Sequence, residues 1–448
     1  MATDENGRVA GTVTQRAHAA YTNDDAECGF VEAEGDGAVP NFFQQYSQTY
    51  FCRLAEVRRF FQQAAPDAYV SLSEVPTGTA STVIGVIYKQ MPLKPSVLRE
   101  YAGDVMLPVP EVKRANYVSD EDRVFIEDET GRTELCLASA GDKDGLVSGV
   151  VMAVRGTQME DGRLRVEELR YPPTAPLPPP PPSTTLPKSA DGSVDTEPLY
   201  ACFLSDIDPT AARAQLLLDY LTGNLGIDLP RVRRIARVVI AGNIGDSDAA
   251  DAFLANLAAS VPVDLLPGDR DPVRSAWPQR PFHRILLPRA ATPGKTALTR
   301  CSNPHTFTLH GRRFLGTSGQ NVDNLMRFSR VTSTTEALHR LLRYRHVAPT
   351  APDTLVCQPV WRRDPLLIRH LPQVFFSGNA DAFAAQTVSL PLPSAISSTD
   401  AAAMDTAAPA ECASVLLLSV PRYAASGAAV LLDLQTLQVQ LLRVDDLP

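Results

Sequence analysis

A proline-rich segment interrupts the sequence near its middle. Residues 172–197 include five consecutive prolines at 178–182, with single prolines on both sides. Proline lacks a backbone N–H and prefers an extended conformation, so such a run joins neither a helix nor the interior of a sheet. A chain of 448 residues is also longer than one hydrophobic core usually serves, about 250–300 residues. We therefore predict a linker or surface loop over 172–197, between a domain at 41–171 and a second domain at 198–448.

The first 40 residues are rich in glycine, alanine and acidic residues and show no periodicity. This composition predicts a disordered tail over residues 1–40. The start of the chain has no apolar stretch typical of a secretory signal, and no apolar run reaches the length of about 20 residues that spans a bilayer. Seven cysteines are scattered without C-x-x-C spacing, which favours reduced thiols in an intracellular protein over a disulfide framework or a zinc site.

The domain at 41–171 begins with an amphipathic pattern. Between Asn41 and Ala65, apolar and aromatic residues recur every three or four positions, which predicts a helix. Five β-type segments follow, and a five-stranded barrel of the OB type accounts for them. These segments are Thr82–Lys89, Arg123–Glu127, Thr133–Leu137, Gly149–Arg155 and Arg163–Leu169.

The domain at 198–448 alternates strand-like and helical segments, which predicts an α/β β-sandwich flanked by helices. The chain as a whole is thus expected to be an α+β multidomain protein. We expect helices near Ala211–Leu221 and Ala249–Ser260, and an apolar hairpin made of Ser414–Val420 and Ala429–Leu442. The other predicted strands are Tyr200–Leu204, Val232–Ala241, Pro262–Leu266, Phe314–Gly316, Thr354–Cys357 and Val374–Phe376.

Four polar loops follow apolar strands of this second domain. They read SDID at 205–208, AGNIGD at 241–246, PGDRD at 267–271 and SGNAD at 377–381. In layered α/β folds, chemistry is concentrated in loops at the carboxyl ends of strands. In order and context these loops resemble the D-x-H, G-D-x-x-D, G-N-H-D/E and G-H-x-H series of calcineurin-like metallophosphoesterases.

The resemblance fails at the residues that hold metal. Phosphoester hydrolysis in such sites uses two metals about 3.5–4 Å apart, with a carboxylate as their bridge. Asn243 stands where the bridging Asp belongs, and Arg270 replaces the catalytic His. The other altered positions are Asp208 for a His, Asp269 for an Asn, and Asn379 and Asp381 for two His residues.

Little remains that could bind a catalytic ion. Among the seven His residues, only His346 is placed where a remaining ligand could come from. The acidic residues could hold one Mg²⁺ or Ca²⁺, or they could cap helices and pair with Arg270. These acidic residues are Asp206, Asp208, Asp269 and Asp271. We predict no catalytic residue, no intact two-metal centre and no cofactor.

Six segments resemble the small (B-) subunits of replicative DNA polymerases, those of the delta type in particular, and they occur in that family's order. They are Val83–Pro95, Val238–Asn243, Val261–Pro272, Arg313–Asn321, Arg345–Thr354 and Phe375–Asn379. The resemblance implies an OB domain joined to an inactive phosphoesterase-like domain, in a nuclear protein with neither polymerase nor nuclease activity. It also implies two direct partners, the metal-binding C-terminal region of the catalytic subunit and a third accessory subunit. The sliding clamp and DNA would be contacted only through the complex.

Two other functions stay open at this point. One is an active phosphodiesterase or 3′-exonuclease with unusual ligands, which the missing His residues disfavour. The other is a single-strand DNA-binding protein that stacks bases on aromatic residues of the barrel. The formal net charge of −9 disfavours it, because phosphate binding relies on Lys and Arg. The aromatic candidates are Tyr88, Tyr101, Tyr117 and Phe125.

Overall fold

The computed structural model describes residues 16–30, 45–64, 68–95, 114–138, 143, 145–178, 197–292, 294, 296–360, 362–392, 412–443 and 445. Most of the predicted tail, residues 179–196 of the predicted linker and an Ala/Ser-rich stretch at 394–410 lie outside these ranges. Within them, no helix is both long enough and apolar enough to cross a membrane.

The described ranges contain eight α-helices and seventeen strands. The helices are α1 (Asp25–Cys28), α2 (Ser47–Ala64), α3 (Ala212–Thr222), α4 (Leu229–Arg233), α5 (Asp248–Ser260), α6 (Gln320–Phe328), α7 (Thr334–Tyr344) and α8 (Tyr423–Ser426). The first nine strands are β1 (Tyr21–Asn23), β2 (Ala80–Gln90), β3 (Arg123–Glu127), β4 (Arg132–Cys136), β5 (Val151–Gln158), β6 (Leu164–Arg170), β7 (Tyr200–Leu204), β8 (Ile235–Ala241) and β9 (Val263–Leu266). The remaining strands are β10 (Leu298–Arg300), β11 (His305–Leu309), β12 (Arg312–Thr317), β13 (Val374–Ala380), β14 (Ala384–Pro391), β15 (Cys412–Pro421), β16 (Ala428–Asp433) and β17 (Val439–Arg443).

The five strands predicted for the first domain form a closed barrel in the order β2-β3-β4-β6-β5. Its interior is filled by fully buried residues such as Val83, Ile126 and Met152. Helix α2 packs on the outside of β2 and β5 through Leu54 and Val57, which are 2% and 1% exposed. The predicted helix and OB-type barrel are confirmed, although α2 begins at Ser47, and residues 41–44 lie outside the described ranges.

The second domain is a sandwich of two six-stranded sheets. The first sheet has the order β1-β11-β12-β13-β15-β14, and the second has the order β10-β9-β8-β7-β16-β17. Aromatic side chains fill the space between them, with Phe307 stacked on Phe314 at 4.7 Å between ring centroids. Helices α6 and α7 cover the outer face of the first sheet, and α3 and α5 cover that of the second. This architecture confirms the predicted sandwich flanked by helices.

The prediction of a disordered tail is wrong for residues 16–30. Strand β1 pairs antiparallel with β11, so Tyr21–Asn23 form the edge of the first sheet. Arg16 donates to the carbonyl oxygen of Val232 at 2.9 Å, and Asp25 is 3% exposed. The segment lacks local periodicity because its partners are supplied by strands nearly 300 residues away in the chain.

The predicted linker packs in part against the second domain. Ala175 is buried, and the carbonyl oxygen of Pro176 accepts a hydrogen bond from the N–H of Leu371 at 2.8 Å. Residues 171–178 have no regular secondary structure, in agreement with their proline content. The start of the predicted linker is therefore attached to the sandwich, while the rest lies outside the described ranges.

Two other predictions are wrong in the second domain. Thr354–Cys357 is not a strand: Thr354 lies in a turn, where Asn324 of α6 donates to its carbonyl oxygen and accepts from its hydroxyl, and Cys357 forms only an isolated bridge with Trp277. The C-terminal apolar segments are not one hairpin: β15 lies in the first sheet, and β16 and β17 lie in the second. Helix α8 makes the crossing between the sheets.

Candidate functional site

The four polar loops meet at one edge of the sandwich. They surround a cavity of about 310 Å³. Five of the predicted site residues line it, namely Asp206, Asn243, Asp269, Arg270 and Asn379. Four further lining residues were not predicted, namely Ser318, Gln320, Asp323 and Arg422. Arg422, which follows β15, and Asp323 of α6 lie outside the loops and segments that the sequence singled out. Ser318 and Gln320 lie in the family-like segment Arg313–Asn321, which carries no phosphoesterase-like motif and was not predicted to reach the cavity.

The cavity floor is built on left-handed backbone. Asp206, Asn243 and Asn379 have φ values of 52°, 62° and 56°. Asn and Asp adopt this conformation more readily than other residues with a side chain, whereas β-branched residues do not. The same three turns bring the ends of β7, β8 and β13 together. Part of the polar character of these loops is therefore explained by backbone geometry.

Two asparagine amides link the loops across the two sheets. Asn243 donates through Nδ2 to Oδ1 of Asn379 at 3.0 Å, and its own Oδ1 accepts from the N–H of Arg270 at 3.1 Å. Asn379 in turn donates to the carbonyl oxygens of Ala241 and Ser318 at 3.0 and 2.7 Å. Both amides are therefore engaged within the protein.

Asp271 points away from the cavity and into the loop after β8. Its carboxylate accepts hydrogen bonds from the backbone N–H groups of Asn243, Ile244, Gly245 and Gly268 at 2.7–3.0 Å. Burial raises its pKa, while these four N–H donors act in the opposite direction. Asp271 thus holds two of the loops in shape and does not line the cavity.

Two of the charged residues at the cavity form an ion pair, and a third binds a backbone carbonyl. Arg270 pairs with Asp206, and Arg422 donates through Nε to the carbonyl oxygen of Asn379 at 3.1 Å. Burial raises the pKa of Asp323, which also faces Arg422.

Two predicted site residues lie outside the cavity at the ends of its loops. Asp381 is 92% exposed and lies 3.3 Å from Arg422. Exposed Asp208 accepts from the hydroxyl and the N–H of Thr210, which lowers its pKa. The acidic residues of the loops therefore accept hydrogen bonds within turns or pair with Arg. None of them is the N-cap residue of a described helix.

His346 does not line the cavity. It is 2% exposed, its Nε2 lies 2.9 Å from Oδ2 of Asp364, and its Nδ1 accepts from the N–H of Ala348 at 3.1 Å. The idea that His346 could supply a remaining metal ligand is therefore wrong, because both ring nitrogens are already bound. Burial and the nearby Arg53 lower its pKa to about 4.

His346 belongs to an interdomain cluster, which we define as Arg53, His346 and Asp364. Arg53 of α2 donates to Asp364 at 2.8 Å and to the carbonyl oxygens of Gly149, Pro349 and Ala351 at 2.9–3.0 Å. Both charged side chains are 1% exposed. One guanidinium thus joins α2, the barrel and the second domain.

The barrel aromatics proposed for base stacking are mostly occupied. Tyr117 stacks on Phe328 of the second domain at 5.3 Å. Arg132 lies over the ring of Tyr88 at 4.4 Å, and it also pairs with Glu127. Near Phe125, Arg123 pairs with Glu134. Tyr101 lies outside the described ranges. Acidic partners neutralise these two arginines, so the part of this face that the structure describes does not favour the basic groove typical of single-strand binding.

Comparison with known proteins agrees with this architecture. The family of the DNA polymerase delta subunit OB-fold domain matches residues 45–169, and the family of the DNA polymerase alpha/epsilon B subunits matches residues 242–385. The first of these ranges contains α2 and all of the barrel except Arg170, the last residue of β6. The second contains the polar loops at 267–271 and 377–381 and most of the loop at 241–246.

Several relatives match over most of their length. The DNA polymerase delta small subunit of Oryza sativa is 33% identical over 96% of this chain and 98% of the relative. That of Arabidopsis thaliana is 33% identical over 89% of this chain and 91% of its own length. The Saccharomyces cerevisiae protein is 26% identical over 81% of this chain and 78% of its own length. The chain therefore belongs to the family of DNA polymerase delta small subunits, accessory subunits of a replicative DNA polymerase.

Proposed function

We propose that this protein is a non-catalytic scaffold of the delta polymerase complex and acts in DNA replication in the nucleus. In this role it bridges the metal-binding C-terminal region of the catalytic subunit and a third accessory subunit. It reaches the sliding clamp and DNA only through those partners. The non-catalytic role is supported by one observation. The side-chain amides of Asn243 and Asn379 are hydrogen-bonded to each other and to other groups of the protein.

The chemistry of the cavity supports this proposal. A two-metal centre needs a bridging carboxylate and several neutral imidazole or amide ligands that point into the site. Asn243 offers a neutral amide in the bridging position, and the guanidinium of Arg270 lies against Asp206. Because this guanidinium already neutralises the carboxylate of Asp206, that carboxylate is not free to hold a metal cation. We infer that the phosphoesterase-like site is degenerate.

The fixed arrangement of the two domains supports the scaffold part. Arg53 is bonded to both domains at once, and Tyr117 packs on Phe328 across the same boundary. A scaffold that must hold two partners at a set distance benefits from such rigidity, because less ordering is needed on binding.

Co-purification tests the partner assignment. The full chain should co-purify with the C-terminal region of the delta catalytic subunit when the two are expressed together, and the third subunit should join this pair. As a specificity control, the equivalent region of a different replicative polymerase is expressed in parallel. Binding to that control with equal yield, or binding to neither, would contradict the proposal.

A nuclease assay tests the non-catalytic assignment separately. Purified full chain is incubated with single-stranded DNA and Mn²⁺, alongside an Asp206→Ala variant. We expect no cleavage above background in either sample. Cleavage that Asp206→Ala abolishes would assign an active site to the cavity, whereas cleavage that persists in the variant would come from a contaminant.

A further inference from the structure

One edge of the first sheet is a long strand with a neighbour on one side only. Strand β14 (Ala384–Pro391) has eight residues and pairs along its whole length with β15. Its other side pairs with no strand of the described chain. A strand in this position presents a row of backbone N–H and C=O groups that can pair with another chain.

The other three sheet edges are protected in ways that β14 is not. Strands β1 and β10 have three residues each, and β17 has five residues and ends in Arg443. Short strands and charged residues are the usual means by which proteins prevent pairing at an edge. Strand β14 has no charged residue, and its proline is its last residue, Pro391. Among the sheet edges that the structure describes, β14 is the one that is both long and uncharged.

The register shows which backbone groups of β14 point outward. The N–H of Leu416 in β15 donates to the carbonyl oxygen of Gln373 at 2.9 Å, on the β13 side. Successive N–H groups of a strand point to opposite sides, so that of Val415 points towards β14, where its partner is Val388. Val388 therefore turns its own N–H and C=O towards β15. The groups that point away from the sheet are those of Ala385, Thr387 and Ser389.

The outward backbone groups of β14 are accessible. No residue of the described chain forms a hydrogen bond with the outward groups of Ala385, Thr387 or Ser389, and all three residues are exposed. Each contributes one donor and one acceptor, and alternate residues of an extended strand are about 6–7 Å apart. A second extended chain has the same spacing, so it can satisfy all of these groups at once.

The side chains of β14 indicate what an added strand would contain. Val388 and Leu390 are 8% and 6% exposed and belong to the same apolar cluster as Leu338 of α7. Residues of an added strand that lie beside these two share their face of the sheet, so apolar side chains fit there. The opposite face of β14 carries small or polar residues such as Thr387 and Ser389 and accepts polar side chains.

We propose that the outer edge of β14 binds an extended segment of a partner subunit, which adds to the six-stranded first sheet as a further strand. The segment has apolar residues at alternate positions, beside Val388 and Leu390. A second copy of this chain fits less well, because each copy carries a net charge of −9 and like-charged proteins repel each other. The site rests on the proposed scaffold function, since that function supplies the partner subunits.

Hydrogen exchange tests the site in the unmodified full chain. Amide exchange of the segment Ala384–Pro391 is followed by mass spectrometry in the chain alone and in its complex with the C-terminal region of the catalytic subunit and the third subunit. We expect the outward amides to exchange quickly in the chain alone and about tenfold or more slowly in the complex. Unchanged exchange in a complex that forms would overturn the site and leave the proposed function standing.

The same measurement distinguishes other occupants of this edge. Slow exchange in the chain alone at every concentration would show that the chain covers its own edge. Slowing that grows with the concentration of the chain would show that two copies pair. Either result would overturn the assignment to a partner subunit. If the unmodified chain forms no complex, the proposed function fails and the site fails with it.

A proline variant tests the backbone pairing. Thr387→Pro removes an outward N–H and keeps the hydrogen bonds between β14 and β15, because an edge strand accepts proline where its nitrogen faces outward. We expect its affinity for the purified partner subunits to fall by about tenfold or more. Thr387→Ala is the matched control, because it removes the side chain and keeps the N–H, and its affinity should change by less than about twofold.

Equal affinities of Thr387→Pro and Thr387→Ala would contradict the site. Urea unfolding of the two variants shows whether Thr387→Pro is folded. If it is not, the hydrogen-exchange comparison decides, because that comparison uses the unmodified chain.

Discussion

The interdomain cluster lies at the boundary of the two domains and the phosphoesterase-like cavity lies within the second domain, and these two polar centres differ in what their side chains face. Arg53, His346 and Asp364 are each at most 2% exposed and bind one another or backbone carbonyls. Asn243 and Asn379 are 7% and 6% exposed and lie on the wall of a cavity that opens to solvent. The cavity brings together the loops that resemble phosphoesterase motifs, whereas the cluster contains His346, the residue that was considered as a remaining metal ligand.

This difference shows that loops that resemble a site and a His residue that could have served as its ligand need not lie together in the fold. The loops of the cavity still follow their strands, yet their polar atoms are used for internal hydrogen bonds. His346, in turn, orients Asp364 toward Arg53. The comparison predicts that both centres contribute to stability and that neither contributes to phosphoester chemistry.

The largest effect is expected for Asp364→Ala. Removing this carboxylate leaves the buried guanidinium of Arg53 without its counter-ion, which destabilises folded proteins by about 3–5 kcal/mol. Urea unfolding should show this loss. The control is Asp248→Ala, which removes an 86% exposed partner of Arg289 and should leave the unfolding curve unchanged. A loss for Asp364→Ala of under about 1 kcal/mol would mean that the cluster is not a buried ion pair in solution.

A smaller loss of stability is expected for Asp271→Ala, which lies behind the loops of the cavity. The variant leaves four backbone N–H groups without their acceptor. Because some of these groups can bind water instead, we expect the free energy of unfolding to fall by about 2–4 kcal/mol. Asp269→Ala is the matched control in the same loop, because Asp269 is exposed. The free energy of unfolding of Asp269→Ala should differ from that of the unmodified chain by at most about 0.5 kcal/mol. Equal losses in the two variants would contradict the role assigned to Asp271.

The pH dependence of stability separates the two centres further. The pKa of His346 is about 4 in the folded protein, below its ordinary value of 6.5. The unfolded chain therefore binds the proton more tightly, and stability falls as pH drops from about 6.5 towards 4. Between about pH 7 and pH 5, His346 should account for about 1–2 kcal/mol of this loss.

The His346→Gln variant tests this assignment. Glutamine can still donate to Asp364 but does not titrate, so the free energy of unfolding should depend less on pH in this window. Denaturant unfolding of both proteins across the window measures the difference. The same slope in both proteins would show that another group causes the pH dependence.

The smallest effect is expected for restoring the bridging carboxylate with Asn243→Asp. The other altered positions remain, and Arg270 still occupies the cavity, so hydrolysis of a phosphodiester in Mn²⁺ should stay at background. Stability should fall by about 1 kcal/mol, because the hydrogen bond to Asn379 loses its donor. Metal-dependent turnover by this single variant would show that the cavity is much closer to an active site than proposed.

The sequence by itself determined the barrel, the α2 helix and the alternation of strands and helices in the sandwich. These features follow from the local spacing of apolar residues, which is set within each element. It also determined which side chains stand after β7, β8, β9 and β13, and hence the expectation that a bridging carboxylate is missing.

Only the tertiary structure decided how distant segments combine. Tyr21–Asn23 joined the first sheet, His346 joined Arg53, and Arg422 reached the cavity, because each of these contacts connects residues far apart in the chain and leaves no local pattern. The same holds for the sheet that each C-terminal strand enters, since β15 and β16 are equally apolar. A hydrophobic pattern specifies that a strand is buried, but its pairing partner depends on the free energy of the whole packed core.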